Sequence, residues 1–225
     1  MKKEYLLRQS ELIPLEVLSQ PIKVVGAGSV GTFTVLALTK MGFSNITVFD
    51  NDTVDVENMN CQLFKTTDIS QKKVVALAQN IFEYTGVRIE AVAQKYEGGV
   101  LDGIVVATVD SMAVRKLIWD EHHGMSLSTK LIIDPRMAIE TALLYAMKPG
   151  DVKDGDSYAT TLYSDNEAVQ ERCTNKATGY TAMMIGAQVA KTVKDFLTGK
   201  PYGRIVQWSI ANNQQVVFNT KKDNV

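Results

Sequence analysis

The chain has 225 residues, a formal net charge of −1, and 45% hydrophobic and 22% charged residues, the proportions of a globular protein long enough to bury one large core. No basic run is longer than a pair such as Lys221–Lys222, which excludes the electrostatic footprint of a nucleic-acid binder, and no apolar run approaches the ~18–20 residues that cross a membrane. Two cysteines, Cys61 and Cys173, make neither a disulfide framework nor a four-cysteine zinc site, and the charged start "MKKEYLLRQSELIPLE" interrupts the apolar core that a secretion signal needs. The expectation is a cytoplasmic protein with no nucleic-acid and no membrane partner.

In chain order, Ile22–Val25 is a short β-branched run and reads as a buried strand. It ends in "GAGSVG", Gly26 to Gly31, and a helical pattern runs from Ser29 to Met41 with Gly42 as its stop. "NITVF" predicts a second strand ending at Asp50, and Asp68 is placed to cap a helix running to Gly86. "VRIEAVA" and "GIVVAT" predict two more strands, after which Asp110 or Ser111 caps a helix to about His123, whose two histidines fall at the end of a surface helix. "KLIID" and "TALLYAM" predict a fifth and a sixth strand.

From 148 to 179 the pattern dissolves into a polar stretch, and loops of that length inside compact domains tend to be functional. A long apolar helix follows, Tyr180 to Leu197, and then a hairpin of "RIVQWSI" and "QQVVF". Strands alternating with helices predict an α/β fold, a Rossmann-like, mostly parallel right-handed sheet flanked by helices, with antiparallel strands at the C-terminal end.

The glycine turn is a G-x-G-x-x-G of Gly26, Gly28 and Gly31, and it sits between a strand and a helix, the context in which it binds phosphate at the helix N-terminus. Asp50, at the end of the second strand, is placed to hydrogen-bond a ribose. The usual occupant would be NAD, but there is no Tyr-x-x-x-Lys pair, and no long second domain carries a hydride-acceptor site. The stretch "FDNDTVDVENMNCQLF" supplies Asp50, Asp52, Asn58 and Gln62, in which Asp52 or a neighbour could hold a divalent cation while amides fix ribose or phosphate. The turn lacks the lysine of a P-loop. Lys72 and Lys73 lie in the first turns of their helix, where the dipole disfavours cations, and a nearby triphosphate would account for them. Asp110 is open to two readings, helix cap or magnesium carboxylate, with Arg115 five residues on.

Taken together, these motifs resemble the family of ThiF, MoeB and the ubiquitin-activating enzymes. The resemblance rests on Gly26/Gly28/Gly31, Asp50 and Asp52, Asn58 and Gln62, Lys73, and Asp110 with Arg115, all in order and spacing. "YLLRQ" at the start resembles the family's Arg-Gln, and "ERCTNKATGYTAMMIGAQ" its cysteine and long helix. The resemblance implies a single ThiF-type adenylating domain over 1–225, with an N-terminal arm at 1–20 and a crossover loop at 148–179. It implies ATP and Mg²⁺, no zinc (the family's Cys-x-x-Cys pairs are absent), and adenylation of the C-terminal carboxylate of a small sulfur-carrier or ubiquitin-like protein, in a homodimer.

In this reading Lys73, Arg8 (reaching into a neighbouring subunit's site) and a magnesium ion on Asp110 act on the phosphates, and Asp50 holds the ribose. Cys173 matches the position of the family's acceptor thiol, though a free cysteine can equally be a small buried hydrophobe. Cys61 stands where the family carries an arginine against the phosphates. Weakened activity, reliance on Lys72, a binding module without catalysis, and an NAD enzyme therefore remain as alternatives.

Overall fold

The computed structural model describes residues 3–124, 128–163 and 177–218. Among them, eight strands form one sheet in the order β3-β2-β1-β4-β5-β6-β7-β8. The strands are β1 (Ile22–Val25), β2 (Ile46–Phe49), β3 (Glu90–Val92), β4 (Gly103–Ala107), β5 (Thr129–Ala138), β6 (Thr141–Met147), β7 (Ile205–Ser209) and β8 (Gln214–Phe218). The helices are α1 (Ser29–Lys40), α2 (Lys73–Thr85), α3 (Met112–His122), α4 (Val152–Ala159) and α5 (Gly179–Leu197). Strands β1 to β5 pair in parallel, and β5 to β8 pair antiparallel. The expected mostly parallel sheet with antiparallel C-terminal strands is the observed one.

Period-two alternation along the strands builds a core on each face. Ile22 and Val24, Ile46 and Val48, Ile104 and Val106, and Leu131 and Ile133 point to one side, against α1 (Val35, Leu38), α2 (Leu77, Ile81) and α5 (Ile185, Val189, Val193). Val25, Val105, Ala107 and Ile132 point to the other, against α3 (Val114, Ile118, Trp119) and Tyr158 of α4. Each fully buried aliphatic side chain contributes about 1.5–3 kcal/mol, so the two-sided burial explains why the central strands read as continuous apolar runs. The N-terminal arm folds onto the first of these cores through Leu6, Ile13 and Leu18.

Four local expectations are corrected. Asp68 does not cap α2: it is buried, and accepts the Lys65 amide at 2.8 Å and the Asn80 side chain at 2.7 Å. The backbone N-cap of α2 is Lys72. The stretch from 148 is not all loop, because α4 forms within it. Its composition is polar, and Tyr158, 1% exposed, anchors it. The histidines do not both lie on the surface: His122 is buried, with Nδ1 3.0 Å from Thr129 Oγ1 and Nε2 3.1 Å from the Tyr96 hydroxyl. Finally, β5 runs on to Ala138 rather than stopping at Asp134, since β6 continues to pair with it after β4 has ended.

Candidate functional site

From β1 the chain steps outward to β2 and β3 and then returns to β4 on the other side of β1. The strand order reverses there, and ligands of open α/β sheets bind at such a point, beyond the carboxyl ends of the strands. A cleft of about 470 Å³ opens at that place. Gly26 and Gly28 line it, with Ser29 and Val30 in the first turn of α1.

The glycines are explained by geometry. Gly26 has φ +106°, and a Cβ there would lie 2.7 Å from the Thr108 carbonyl oxygen at the end of β4. A Cβ on Gly31 would lie 2.1 Å from the Gly26 carbonyl oxygen, so the turn folds tightly back on its helix. A Cβ on Gly28 would meet nothing within 4 Å, because that position faces the open cleft. The first-turn N–H groups of α1 have no intrahelical acceptor and carry the positive end of the helix dipole, a site suited to phosphate. Thr108 Oγ1 closes the floor, 2.7 Å from the Gly26 carbonyl oxygen and 3.0 Å from that of Val25.

Asp50 ties the turn to the neighbouring loop. Its Oδ2 accepts the Ala27 amide at 2.7 Å, and its Oδ1 accepts the Asp52 amide at 2.8 Å. Each oxygen keeps further accepting capacity, and the residue lines the cleft. Lys73, the first residue of α2, is 8% exposed and reaches the cleft, where its Nζ lies 2.9 Å from Asp52 Oδ2. Burial beside a carboxylate explains a cation at this unfavourable helix end. Lys72 is turned away, its Nζ donating to the Asn51 carbonyl at 2.5 Å, and it does not line the cleft.

Gln62 lines the wall, and its buried Oε1 has no hydrogen-bond partner among the described residues. That oxygen is able to accept from a donor that enters the cleft. Cys61 is buried, its sulfur accepting from the Ser29 hydroxyl at 3.2 Å. Asn58 is the third residue of a short 3₁₀ turn capped by Asp55 and completes its capping box, its Oδ1 accepting the Asp55 amide at 2.9 Å, and it is not among the residues lining the cleft.

Of the two candidate caps of α3, Ser111 takes that role by accepting the Val114 amide at 3.4 Å. Asp110 is left exposed at the cleft, with no ion pair or hydrogen bond among the described residues. No group of three or more metal-ligating side chains occurs among the described residues. The exposed Asp110 carboxylate at the cleft is the kind of donor that suits magnesium, which binds through one or two carboxylates together with substrate phosphates and water. Arg115 is not an exposed cation. It is buried, and pairs with Asp134 while donating to the carbonyls of Val109, Ala107 (3.4 Å) and Pro135 (3.5 Å). Burial, and then the nearby Arg136 charge, push its pKa down to about 10. Arg8 lies exposed on the N-terminal arm and does not line this chain's cleft. Cys173 lies outside the described residues.

Sequence reading missed Lys95 and Tyr96, which line the cleft from the loop after β3. The Tyr96 ring meets Phe49 edge to face at 6.1 Å, and its hydroxyl lies 2.8 Å from Glu121 Oε2. Burial and then Glu121 push its pKa upward, so the phenol stays protonated. Nothing in their local pattern marked them. The available signal was topological: they follow the strand next to the one bearing Asp50.

The cleft at the switch point of a mostly parallel sheet, floored by a glycine turn, defines a Rossmann-like α/β domain. The chain belongs to the ThiF family, whose signature it matches over residues 15–224. It is 24% identical over 179 residues to the sulfur carrier protein ThiS adenylyltransferase of Escherichia coli K12, covering 76% of this chain and 68% of that protein. It is 32% identical over 104 residues to the NEDD8-activating enzyme E1 catalytic subunit of Arabidopsis thaliana, a match covering 43% of this chain and 23% of that protein. The match thus spans about a quarter of the length of that E1 subunit. Among solved structures, Escherichia coli MccB with AMPCPP and MccA shares the fold, with a TM-score of 0.72, 15% identity, and coverage of 96% of this chain and 68% of MccB.

Proposed function

We propose that the cleft binds Mg·ATP and that the protein is an adenylyltransferase, activating the C-terminal carboxylate of a small ubiquitin-like or sulfur-carrier protein. The observation that carries this is the convergence on one cleft of a glycine turn held by Asp50, a buried Lys73 and an exposed Asp110. A carboxylate oxygen attacks the α-phosphorus, the bond to the bridging oxygen of pyrophosphate breaks, and acyl-AMP forms. Such chemistry asks for positioning and for neutralisation of phosphate charge.

The α1 N-terminus cradles the phosphates, Lys73 exchanges its contact with Asp52 for phosphate oxygens, and Asp50 and Gln62 fix the ribose. Asp110 is the residue that would hold magnesium, which supplies Lewis-acid neutralisation of the phosphates when bound. In a homodimer, Arg8 would serve the neighbouring subunit's cleft, and Cys173 would be the thiol that takes up the activated acyl group. ATP–pyrophosphate exchange with partners ending in Gly-Gly tests this reading. Exchange is expected from the native protein and not from Lys73→Ala or Asp110→Ala, and exchange surviving both substitutions would remove these residues from the site.

A second reading, a nucleotide-binding module without turnover, is favoured by Cys61, which packs on Ser29 where a phosphate-binding arginine would bring charge. AMPCPP bound in calorimetry without exchange activity for any partner would select it.

A further inference from the structure

Behind the cleft lies a buried cluster that the proposed chemistry does not use. Asp134, 1% exposed near the middle of β5, sits between two guanidinium groups. Its Oδ1 pairs with Arg115, while its Oδ2 accepts from Arg136 Nε at 2.9 Å and from the Tyr158 hydroxyl at 2.9 Å. Arg136 also donates to the carbonyl and hydroxyl oxygens of Thr161, at 3.1 and 3.0 Å, and lies over the Tyr145 ring at 4.8 Å. One carboxylate thus serves two cations from separate elements, α3 and β5 itself.

Arg115 is the member that faces the cleft. Its guanidinium donates to the carbonyl of Val109, the residue just before Asp110, and the Asp110 charge acts on it. The Val109 carbonyl belongs to the peptide bond to Asp110, so a guanidinium no longer held by Asp134 starts beside that residue. An arginine–carboxylate pair engages both carboxylate oxygens, the same oxygens that a magnesium ion would need.

We infer that Asp134 is a positioning residue for the cleft: by occupying Arg115, it holds that guanidinium behind the Val109–Asp110 turn and leaves the Asp110 carboxylate open to magnesium. The inference rests on the Mg·ATP reading above. It assigns no contact with substrate to Asp134, whose influence passes through Arg115 and Asp110.

The test is calorimetric titration of AMPCPP into the full chain across a range of Mg²⁺ concentrations, with thermal melting to confirm folding. In Asp134→Asn, the Mg²⁺ concentration giving half-maximal enhancement of nucleotide affinity rises tenfold or more, while affinity without Mg²⁺ stays within twofold of the native protein. Tyr158→Phe, which keeps the Asp134 charge but removes one of its donors, melts earlier yet keeps the native Mg²⁺ response. If Asp134→Asn does not fold, the charge-balanced double variant Asp134→Asn/Arg136→Met takes its place with the same expected shift. A folded variant lacking the carboxylate whose Mg²⁺ response is within twofold of native would overturn the inference alone, as would an equal shift in Tyr158→Phe. A native protein whose AMPCPP binding ignores Mg²⁺ would overturn the Mg·ATP reading and this inference with it.

Discussion

The Asp50 carboxylate and the Ala27 amide are 2.7 Å apart, which joins the end of β2 to the centre of the glycine turn by a charge-assisted hydrogen bond. The same carboxylate takes the Asp52 amide at 2.8 Å, so one side chain shapes the cradle and the loop beside it. Asp50→Ala removes both acceptors. Stability is expected to fall by about 1.5–3 kcal/mol in urea melts, and nucleotide affinity in calorimetry by tenfold or more.

Gly28 and Gly31 separate binding from folding. A methyl group at Gly28 points into open cleft, whereas at Gly31 it would overlap the Gly26 carbonyl. Gly28→Ala should melt within about 1 kcal/mol of the native protein, the usual helix-end cost being small, but lose ATP binding. Gly31→Ala should lose stability first, because backbone rather than a flexible side chain must move. Equal melting of the two variants would contradict the geometry.

Among the described residues, Lys73 is the one lysine that both reaches the cleft and is buried. Lys73→Met keeps its aliphatic bulk and removes the charge. Exchange activity should drop by about 10²–10³-fold, the usual loss when one charge-stabilising donor is removed, while the melting temperature changes little. A drop confined to KM, with kcat intact, would make Lys73 a substrate-binding group only.

His122 links stability to pH. Burial lowers its pKa below 6.5, against a smaller opposing pull from Glu121. The unfolded chain therefore takes up the proton first. This site makes no difference to stability above pH 6.5, and stability falls as pH drops from there toward the folded-state pKa. The slope is at most about 1.4 kcal/mol per pH unit for one proton. Urea melts at pH 7.5 and 5.5 measure it, and His122→Gln should flatten that part of the profile.

Much of the fold was legible because its signals are local. "TALLYAM" delimits β6 residue for residue, and the glycine turn lies between its strand and helix as its spacing implies. The errors arose where a neighbour elsewhere in the chain decided. Pro135 argues against a central strand, yet β5 carries it, because the pairing with β4 stops at Ile133 and the proline's missing N–H is not needed on that side. Among the described side chains of the polar α4, the deeply buried one is the Tyr158 ring, which no periodicity announces. Adjacent residues on a helix point about 100° apart, so one of the two neighbouring histidines went inward and the other did not.

Of the candidate site, Gly26, Gly28, Asp50, Asp52, Gln62, Lys73 and Asp110 do share one cleft, and it was the resemblance of their order and spacing to a family pattern that grouped them. Periodicity and motif spacing, both properties of the chain itself, determined the strand–helix alternation and this set of residues. Only the tertiary structure decided that Arg115 faces Asp134, nineteen positions away, rather than pairing with Asp110, five positions away. Charges pair by distance through space and by what shields them from water, and neither quantity is written in the spacing of residues along the chain.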